Sequence, residues 1–360
     1  MKMIVETIAP GRICLFGEHQ DFLGLWVIAS AIDLHIHIKG KKIKDRVLEI
    51  NMPDIQEKEI IDLENEIVYT KQRDYLKAGV KVLLDRGFKI DFGIECLVNG
   101  ELPINAGVSS SSALVVGWIK FLLTHMGVEL PPDELARLAH RAEVVEFKEP
   151  GGMMDHFTSS IGNTIFVDCV PPFSYESLPV NPEGFVLGDS LERKETLEVL
   201  KRSHEEAEEG IRRLTEIYPS FDIRKTPLEE IEGYLKQLPS HLADKVYVNI
   251  INRDICLEAY EMFKKGKIVE ERLGSLLNRH HEMLRILGVS TKKLDELCQA
   301  SLEAGALGAK LVGSGGGGCM ITYAPGKQEE VARAIEEAGG KAYIVKVDKG
   351  CHSIIYNEEE

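Results

Sequence analysis

The stretch Leu102-Pro-Ile-Asn-Ala-Gly-Val-Ser-Ser-Ser-Ser-Ala113, which runs straight into the apolar segment Leu114 to Leu123, has the residue types of a phosphate cradle. Small residues at the start of a helix leave several backbone N–H groups without intrahelical partners, at the positive end of the helix dipole, and an anion can settle there. Ala106 and Gly107 permit close backbone approach, while the hydroxyls of Ser109, Ser110, Ser111 and Ser112 add donors and an oxygen ligand suited to Mg²⁺. Residues 106–113, with Val108 and Ala113 as their apolar members, are therefore expected to bind the phosphates of a nucleotide. The segment is not a Walker A loop, because no Gly-Lys-Ser or Gly-Lys-Thr occurs in the chain, and the P-loop route to ATP is closed. Taken alone it also fits a serine-rich cap on an ordinary buried helix, so other segments have to decide.

The elements that must position this segment are bounded by length and composition. A chain of 360 residues exceeds the size at which one core keeps growing, so two domains are expected. A net charge of -15 argues against nucleic acid as a partner, since phosphate backbones are held by basic stripes that this chain lacks. The seven cysteines are odd in number, spread out and without a Cys-x-x-Cys pair, which suits reduced thiols and a cytoplasmic location rather than a disulfide frame or a zinc site. Met1 to Arg12 carries Glu6 and Pro10 and has no long apolar core, so it does not read as a signal peptide. No apolar run is long enough to span a bilayer, and no membrane partner is expected.

The first half reads as mixed strand and helix. Ile13–Phe16 and Leu25–Ile28 are predicted strands, and Ile32 to Ile38 alternates, with Ile32, Leu34, Ile36 and Ile38 on one face and Asp33, His35 and His37 on the polar one. Leu76–Arg86 is predicted helical, Ile94–Val98 extended, and Ser111–His125 helical with Gly127 as its stop. A helix opened by Pro131, Pro132 and Asp133 is predicted to run to Phe147, followed by a short helix after Gly151-Gly152 and a strand over 164–169. The turn-rich texture of residues 171–182 marks the boundary between domains 1–182 and 183–360. Beyond it long charged helices are predicted over 192–216 and 242–287, the His204–Arg213 run being a solvated helix face. The end returns to an α+β pattern of helix 293–304, strand 310–313, a glycine-rich turn, strand 319–323, helix 328–338 and strand 342–347, which reads as a split βαβ layer.

Three separated segments then form a pattern. Pro10-Gly-Arg-Ile-Cys-Leu-Phe-Gly-Glu-His-Gln-Asp21, Ala106-Gly-Val-Ser-Ser-Ser-Ser-Ala113 and Gly308-Ala-Lys-Leu-Val-Gly-Ser-Gly-Gly-Gly-Gly-Cys319 resemble, in order, the three motifs of the GHMP small-molecule kinases. The first is most similar to the galactokinase signature, here Gly17-Glu18-His19-Gln20-Asp21-Phe22, and Arg141-Ala-Glu143 and Gly152-Met-Met-Asp-His156 resemble two further galactokinase segments. The resemblance implies an α+β, two-domain GHMP kinase fold: an N-terminal mixed α/β domain and a C-terminal ferredoxin-like split βαβ domain with added helices. It implies that Asp155 is the catalytic carboxylate that accepts the substrate proton, with Arg12 beside it to stabilise the nascent alkoxide and the moving phosphoryl group. It also picks out Ser111 and Glu143 for Mg²⁺, and Glu18, His19, Asp21 and Gly152 for a sugar. The turn at Gly313, Ser314, Gly315 and Gly316 is expected to close the site from the second domain.

The expected partners are ATP and a monosaccharide, and the expected activity is transfer of a phosphoryl group to a sugar hydroxyl, the anomeric one, with galactose as a candidate. The chain is expected to be a monomer or homodimer. It departs from galactokinases in lacking a tyrosine between Tyr175 and Tyr218, in His156, and in the four glycines Gly315 to Gly318, which are more similar to mevalonate kinase, as is the segment 287–296. Against mevalonate stands Asp21, a further carboxylate near an acceptor that is already anionic. The alternatives are a GHMP kinase acting on mevalonate, a uronic acid, inositol or a heptose phosphate, and a non-catalytic sugar- and ATP-binding regulator.

Overall fold

Val5, Thr7 and Ala9 alternate inward ahead of Pro10, and this extends the predicted strand at residues 13–16 backwards into β1 (Met3–Phe16). The structure, a computed structural model, describes residues 3–103, 107–149, 151–192 and 197–357. After β1 the first half runs through β2 (Trp26–Ile43), β3 (Val47–Met52), β4 (Glu57–Asp62), α1 (Tyr75–Asp85), β5 (Gly93–Gly100), α2 (Ser110–Met126), α3 (Pro132–His140), α4 (Met154–Ile161), β6 (Thr164–Asp168) and β7 (Ser174–Ser177). The second half holds β8 (Phe185–Asp189), α5 (Leu197–Ile217), α6 (Leu228–Leu235), α7 (Ser240–Lys264), α8 (Glu270–Ile286), α9 (Lys292–Glu303), β9 (Gly308–Leu311), β10 (Cys319–Tyr323), α10 (Gln328–Glu337), β11 (Lys341–Val345) and β12 (His352–Asn357). The architecture is α+β, as expected.

Among the described residues the first sheet has the order β12-β1-β2-β5-β3-β4, and β6 joins β2 with β7 on its far side. The great length of β2 allows this: Trp26–Ser30 pairs with β6 and Ile36–Ile43 with β5. α2 packs on β1 and β2, and α1, α3 and α4 gather around it. Ala113, Val115, Val116, Trp118, Ile119, Phe121 and Leu122 are all fully buried, the pattern of a helix interior on every side. Each such large side chain contributes roughly 1.5–3 kcal/mol, so the start of α2 is anchored by the core behind it. The second sheet, β11-β8-β10-β9, is antiparallel throughout, with α9 and α10 against it and α8 along β9. One apolar cluster links the two halves, running from Ile13, Phe16 and Ile28 to Ile251, Ile255, Phe263 and Leu276.

Four sequence expectations are corrected. The helix predicted to reach Phe147 stops at His140 and continues as a π-helical turn over Arg141–Val145, where the Glu146 N–H reaches back to the Arg141 carbonyl at 3.0 Å. The predicted helical stretch 242–287 is two helices, α7 and α8, broken at Gly266, and α6 precedes them. β3, β4, β7, β8 and β12 are strands that the sequence reading did not anticipate. The chain after 183 does not stay in one unit. Past β11, Val347 bridges Ile32, Lys349 bridges Gly162, and β12 pairs with β1 from Met3–Asn357 to Ile8–His352. The edge of β1 needs such a partner, and Ser353 fastens it through hydroxyl contacts to Thr7 at 2.7 Å and Thr124 at 2.9 Å.

Both passages between the sheets are tied to residues 163–164. On the outward passage the Thr164 carbonyl accepts from the Leu178 N–H at 2.9 Å, and the Thr164 N–H donates to the Asn181 side chain at 3.1 Å. On the return passage the Asn163 N–H donates to the Asp348 carbonyl at 2.7 Å.

A buried ion pair also crosses between the halves. Lys310 on β9 and Glu18 after β1 are both shut off from solvent, and Lys310 Nζ donates to the Glu18 carboxylate and, at 3.0 Å, to the Cys14 carbonyl. Removing one member of such a pair strands the other charge, at a cost of about 3–5 kcal/mol. Lys310→Met is accordingly expected to lower the urea midpoint by a loss of that size, and the double variant Glu18→Gln/Lys310→Met to recover part of it. A Lys310→Met protein as stable as the parent would rule out a structural role for the pair.

Candidate active site

β1 ends in the first motif, α2 begins with the second, and the turn between β9 and β10 is the third. The three meet at Gly107. Its carbonyl accepts from Arg12 Nη1 at 2.5 Å, and a Cβ on Gly313 would stand 2.7 Å from the same oxygen. Gly313 has φ +79°, so both its conformation and this contact require a residue without a side chain. Beyond it the Gly316 N–H donates to the Val289 carbonyl at 2.8 Å and Gly315 lies against the same residue, so the turn is pinned to the connection between α8 and α9. β12 stops pairing with β1 at Ile8, and further along the Arg12 N–H is taken by the Val108 carbonyl at 3.2 Å. The loop before α2 is thereby fixed to the first strand.

Asp155, in the first turn of α4, faces the Arg12 guanidinium. Nε donates to Oδ1 at 2.8 Å and Nη2 to Oδ2 at 3.1 Å, a two-pronged contact. Burial would raise the carboxyl, but the Arg12 charge and the Ser109 hydroxyl outweigh it and hold Asp155 below the usual carboxylate range. Asp155 is ionised at neutral pH and has one face on a cavity of about 290 Å³.

The start of α2 lies between two cavities. Ser112 lines the one that holds Asp155, while Ser110 and Ser111 line an apolar cavity of about 220 Å³ walled by Met52, Ile55, Leu102 and Leu114. Ala106 lies outside the described residues. Val108 and Ala113 are buried beneath the turn, and the Ala113 N–H closes on the Ser109 carbonyl at 2.9 Å. The N–H groups ahead of Ala113 belong to the helix start, where an anion is favoured. Glu143, carried by the π-helical turn, stands beside the Ser111 and Ser112 hydroxyls and accepts from His156 Nε2 at 2.8 Å. Burial would raise its carboxyl, yet His156 and the two serines bring it below its ordinary value. An ionised carboxylate next to a serine hydroxyl at a phosphate-binding helix start is a donor set of hard oxygens, which suits Mg²⁺.

The far wall of the cavity comes from the first motif. Burial, together with the nearby Asp155 charge, pushes the Asp21 carboxyl up to about 6. Gly152 backs it, and a Cβ there would stand 3.1 Å from Asp21 Oδ2. His19 is buried, and desolvation, with His204 adding to it, brings its pKa down to about 3, so the ring is neutral and offers one donor and one acceptor. Gly313 and Ser314 face it from the second half. Glu18 also lines the cavity, but its carboxylate is turned to Lys310, with the other oxygen 3.7 Å from His280 Nδ1. A buried carboxylate requires a cation, and this one is held by the protein rather than directed at an acceptor as the resemblance implies. Among the described charged residues lining the cavity, Arg12 is the one cation, against Glu18, Asp21, Glu143, Glu149 and Asp155.

Sequence reasoning missed three participants. His204, taken as part of a solvated helix face, instead reaches the cavity from α5, stacks on Phe22 at 3.9 Å and meets His19 edge-on at 5.7 Å. Phe22 beside the His19 motif is the only signal that an aromatic partner is needed there. His156 pairs with Glu143 across thirteen residues, and Lys310 pairs with Glu18 across the whole chain. Neither spacing carries a periodic signature.

Residues 74–163 match the GHMP kinases N terminal domain, residues 267–341 the GHMP kinases C terminal domain, and residues 5–42 the galactokinase galactose-binding signature. A mevalonate kinase from Pyrococcus furiosus is 32% identical over 97% of this chain and 97% of its own length. A galactokinase from Thermotoga neapolitana is 30% identical over 92% of each. In fold, the chain is similar to Lactococcus lactis galactokinase complexed with galactose, with a TM-score of 0.83, 23% identity and coverage of 97% of this chain and 95% of the other. No helix among the described residues is long and apolar enough to cross a membrane. With relatives matched nearly end to end and both domain types present, the chain belongs to the GHMP kinase family and is a small-molecule kinase.

Proposed function

We propose that this kinase transfers the γ-phosphoryl group of ATP to a hydroxyl of a neutral monosaccharide, the anomeric one, with galactose as the first candidate. The observation that carries this reading is the cavity in which Asp155, clamped by Arg12, faces Asp21 and His19 while the α2 helix start forms the adjoining wall. With Glu18 neutralised by Lys310, the cavity still carries Asp21, Glu143, Glu149 and Asp155 against Arg12 alone, which suits an uncharged polyol better than a carboxylate substrate. The galactose-binding signature over residues 5–42 and the likeness to the galactose-bound L. lactis enzyme support the same choice. Mevalonate is the second reading, favoured by relatives of 32% identity and by the run Gly315 to Gly318.

In the proposed mechanism the apolar cavity beside Ser110 and Ser111 takes the base of ATP, and the triphosphate lies over the N–H groups of residues 109–112. Ser111 and Glu143 would hold Mg²⁺, which supplies charge neutralisation on the phosphates when bound. His19 and Asp21 hydrogen-bond the sugar hydroxyls, Gly152 leaves room for the ring, and Phe22 and His204 close the wall. The acceptor oxygen bonds to the γ-phosphorus, the bond to the bridging oxygen of ADP breaks, and the hydroxyl proton passes to Asp155. A carboxylate held this acidic takes the proton late, once the new O–P bond has made the hydroxyl acidic. Positioning and the Arg12 charge therefore carry much of the rate.

A Mg-ATP turnover screen over neutral sugars, uronates and mevalonate tests the acceptor. Release of ADP with a neutral hexose and not with mevalonate is the expected outcome, and ADP release with mevalonate alone would overturn the sugar reading. Binding of sugar and ATP without ADP release would favour a regulator. Asp155→Asn is expected to lower kcat by roughly 10²–10⁴-fold with the ATP affinity unchanged, measured by steady-state kinetics and nucleotide titration. The Asp21 carboxylate is an acceptor above about pH 6 and loses that capacity as the pH falls through its raised pKa. The KM for sugar is thus expected to climb below pH 6 in the parent and to be higher but flat with pH in Asp21→Asn, the KM for ATP serving as the control.

A further inference from the structure

His35 and His37 lie two residues apart on β2 and so project from the same face of the sheet. They take no part in the cavity just described, and their polar face alone does not account for their surroundings. Three elements bring carboxylates to them: Glu101 just after β5, Glu6 on β1, and Asp348 in the segment between β11 and β12. His35 Nε2 is 2.7 Å from Asp348 Oδ2, and His37 Nδ1 is 3.4 Å from Glu6 Oε1. The remaining ring nitrogens both face one oxygen, Glu101 Oε2, which lies 3.3 Å from His35 Nδ1 and 4.0 Å from His37 Nε2. That oxygen is itself fixed, because it accepts the His35 N–H at 3.1 Å while the Glu101 N–H donates to the His35 carbonyl at 2.8 Å.

A neutral imidazole has one N–H to give. In the tautomers that give those protons to Asp348 and Glu6, each ring turns a lone pair toward the Glu101 carboxylate, and three acceptors point at one another. A positive centre between them resolves the conflict. The same arrangement, with each ring nitrogen facing inward and its opposite nitrogen backed by a carboxylate, is how proteins orient histidine for a metal ion.

We propose that His35, His37 and Glu101 form a binding site for a divalent transition ion of the zinc type, with Asp348 and Glu6 orienting the two rings. The ligand atoms lie within 4.8 Å of one another. Bonds of about 2.0–2.2 Å to zinc require the His37 ring, the more exposed of the two, to draw in toward the His35 and Glu101 atoms, which already lie 3.3 Å apart. Two nitrogens and one oxygen select Zn²⁺ or Co²⁺ over Mg²⁺, whose proposed hard-oxygen ligands Ser111 and Glu143 lie elsewhere in the chain. The ion would clip β2 to Glu101, at the head of the segment leading into the phosphate loop, and to the returning C-terminal segment behind His35.

Titration of the chelator-treated full chain with Co²⁺, in the absence of nucleotide, reads this site through the intense visible absorption of a four-coordinate ion. One equivalent is expected, displaced by Zn²⁺, and Zn²⁺ is expected to raise the thermal midpoint. His35→Ala/His37→Ala is expected to abolish the spectrum, and Asp348→Asn to weaken binding by about 10–100-fold. If the double variant does not fold, Glu101→Gln serves in its place with an expected tenfold or greater loss. Absence of a Co²⁺ spectrum, unchanged affinity in the histidine or Glu101 variants, or a cobalt–thiolate charge-transfer band placing the ion on a cysteine would each overturn the proposal.

Discussion

The Arg12 guanidinium sets the geometry on which the site depends. Two of its N–H groups fix the Asp155 carboxylate, a third takes the Gly107 carbonyl, and its own backbone N–H is tied to Val108. The planar fork has fixed angles, so α4 and the start of α2 cannot shift independently without breaking one of these contacts. Lysine, a point charge on a flexible stem, would not transmit that constraint. Gly313 then sets the closest approach of the second half to the same carbonyl, and the glycine-rich turn needs its lack of side chains to seat there.

Electrostatics divide the cavity into two ends. On the α2 side, backbone N–H groups and Arg12 favour phosphate. On the Asp21 side, carboxylates and a neutral His19 make a wall that disfavours a second anion and that, in the proposed reading, meets the sugar hydroxyls. Glu18 escapes this division because Lys310 neutralises it from behind, and the motif residue thus serves cohesion between the halves as well as the cavity wall.

Legibility of these features in the sequence followed the range of the interactions. α2 was readable because its cap residues, apolar run and Gly127 stop are all local, and Gly127 does close the helix with φ +70°. The three motifs were readable as types, and the structure brings Arg12, Gly107, Asp155 and Gly313 together. The π-helical turn under Glu143 was not, since an α-helix and its single-residue widening share one periodicity. Nor was His204: its helix has an amphipathic charge pattern, and which end of the exposed stripe meets Phe22 is decided by tertiary packing. The placement of β12 in the first sheet was hidden for the same reason, because pairing with a strand some 350 residues earlier leaves no mark on its own six residues.

The two passages of the chain between the sheets are both fastened at Asn163 and Thr164. Asn163 and Thr164 are adjacent, so the outgoing and the returning chain leave the first sheet at one place. The Glu18–Lys310 pair and the shared apolar cluster hold the second half against the first beyond those covalent links. A cut in either passage would therefore leave the second half covalently joined through the other, at the same edge of the first sheet.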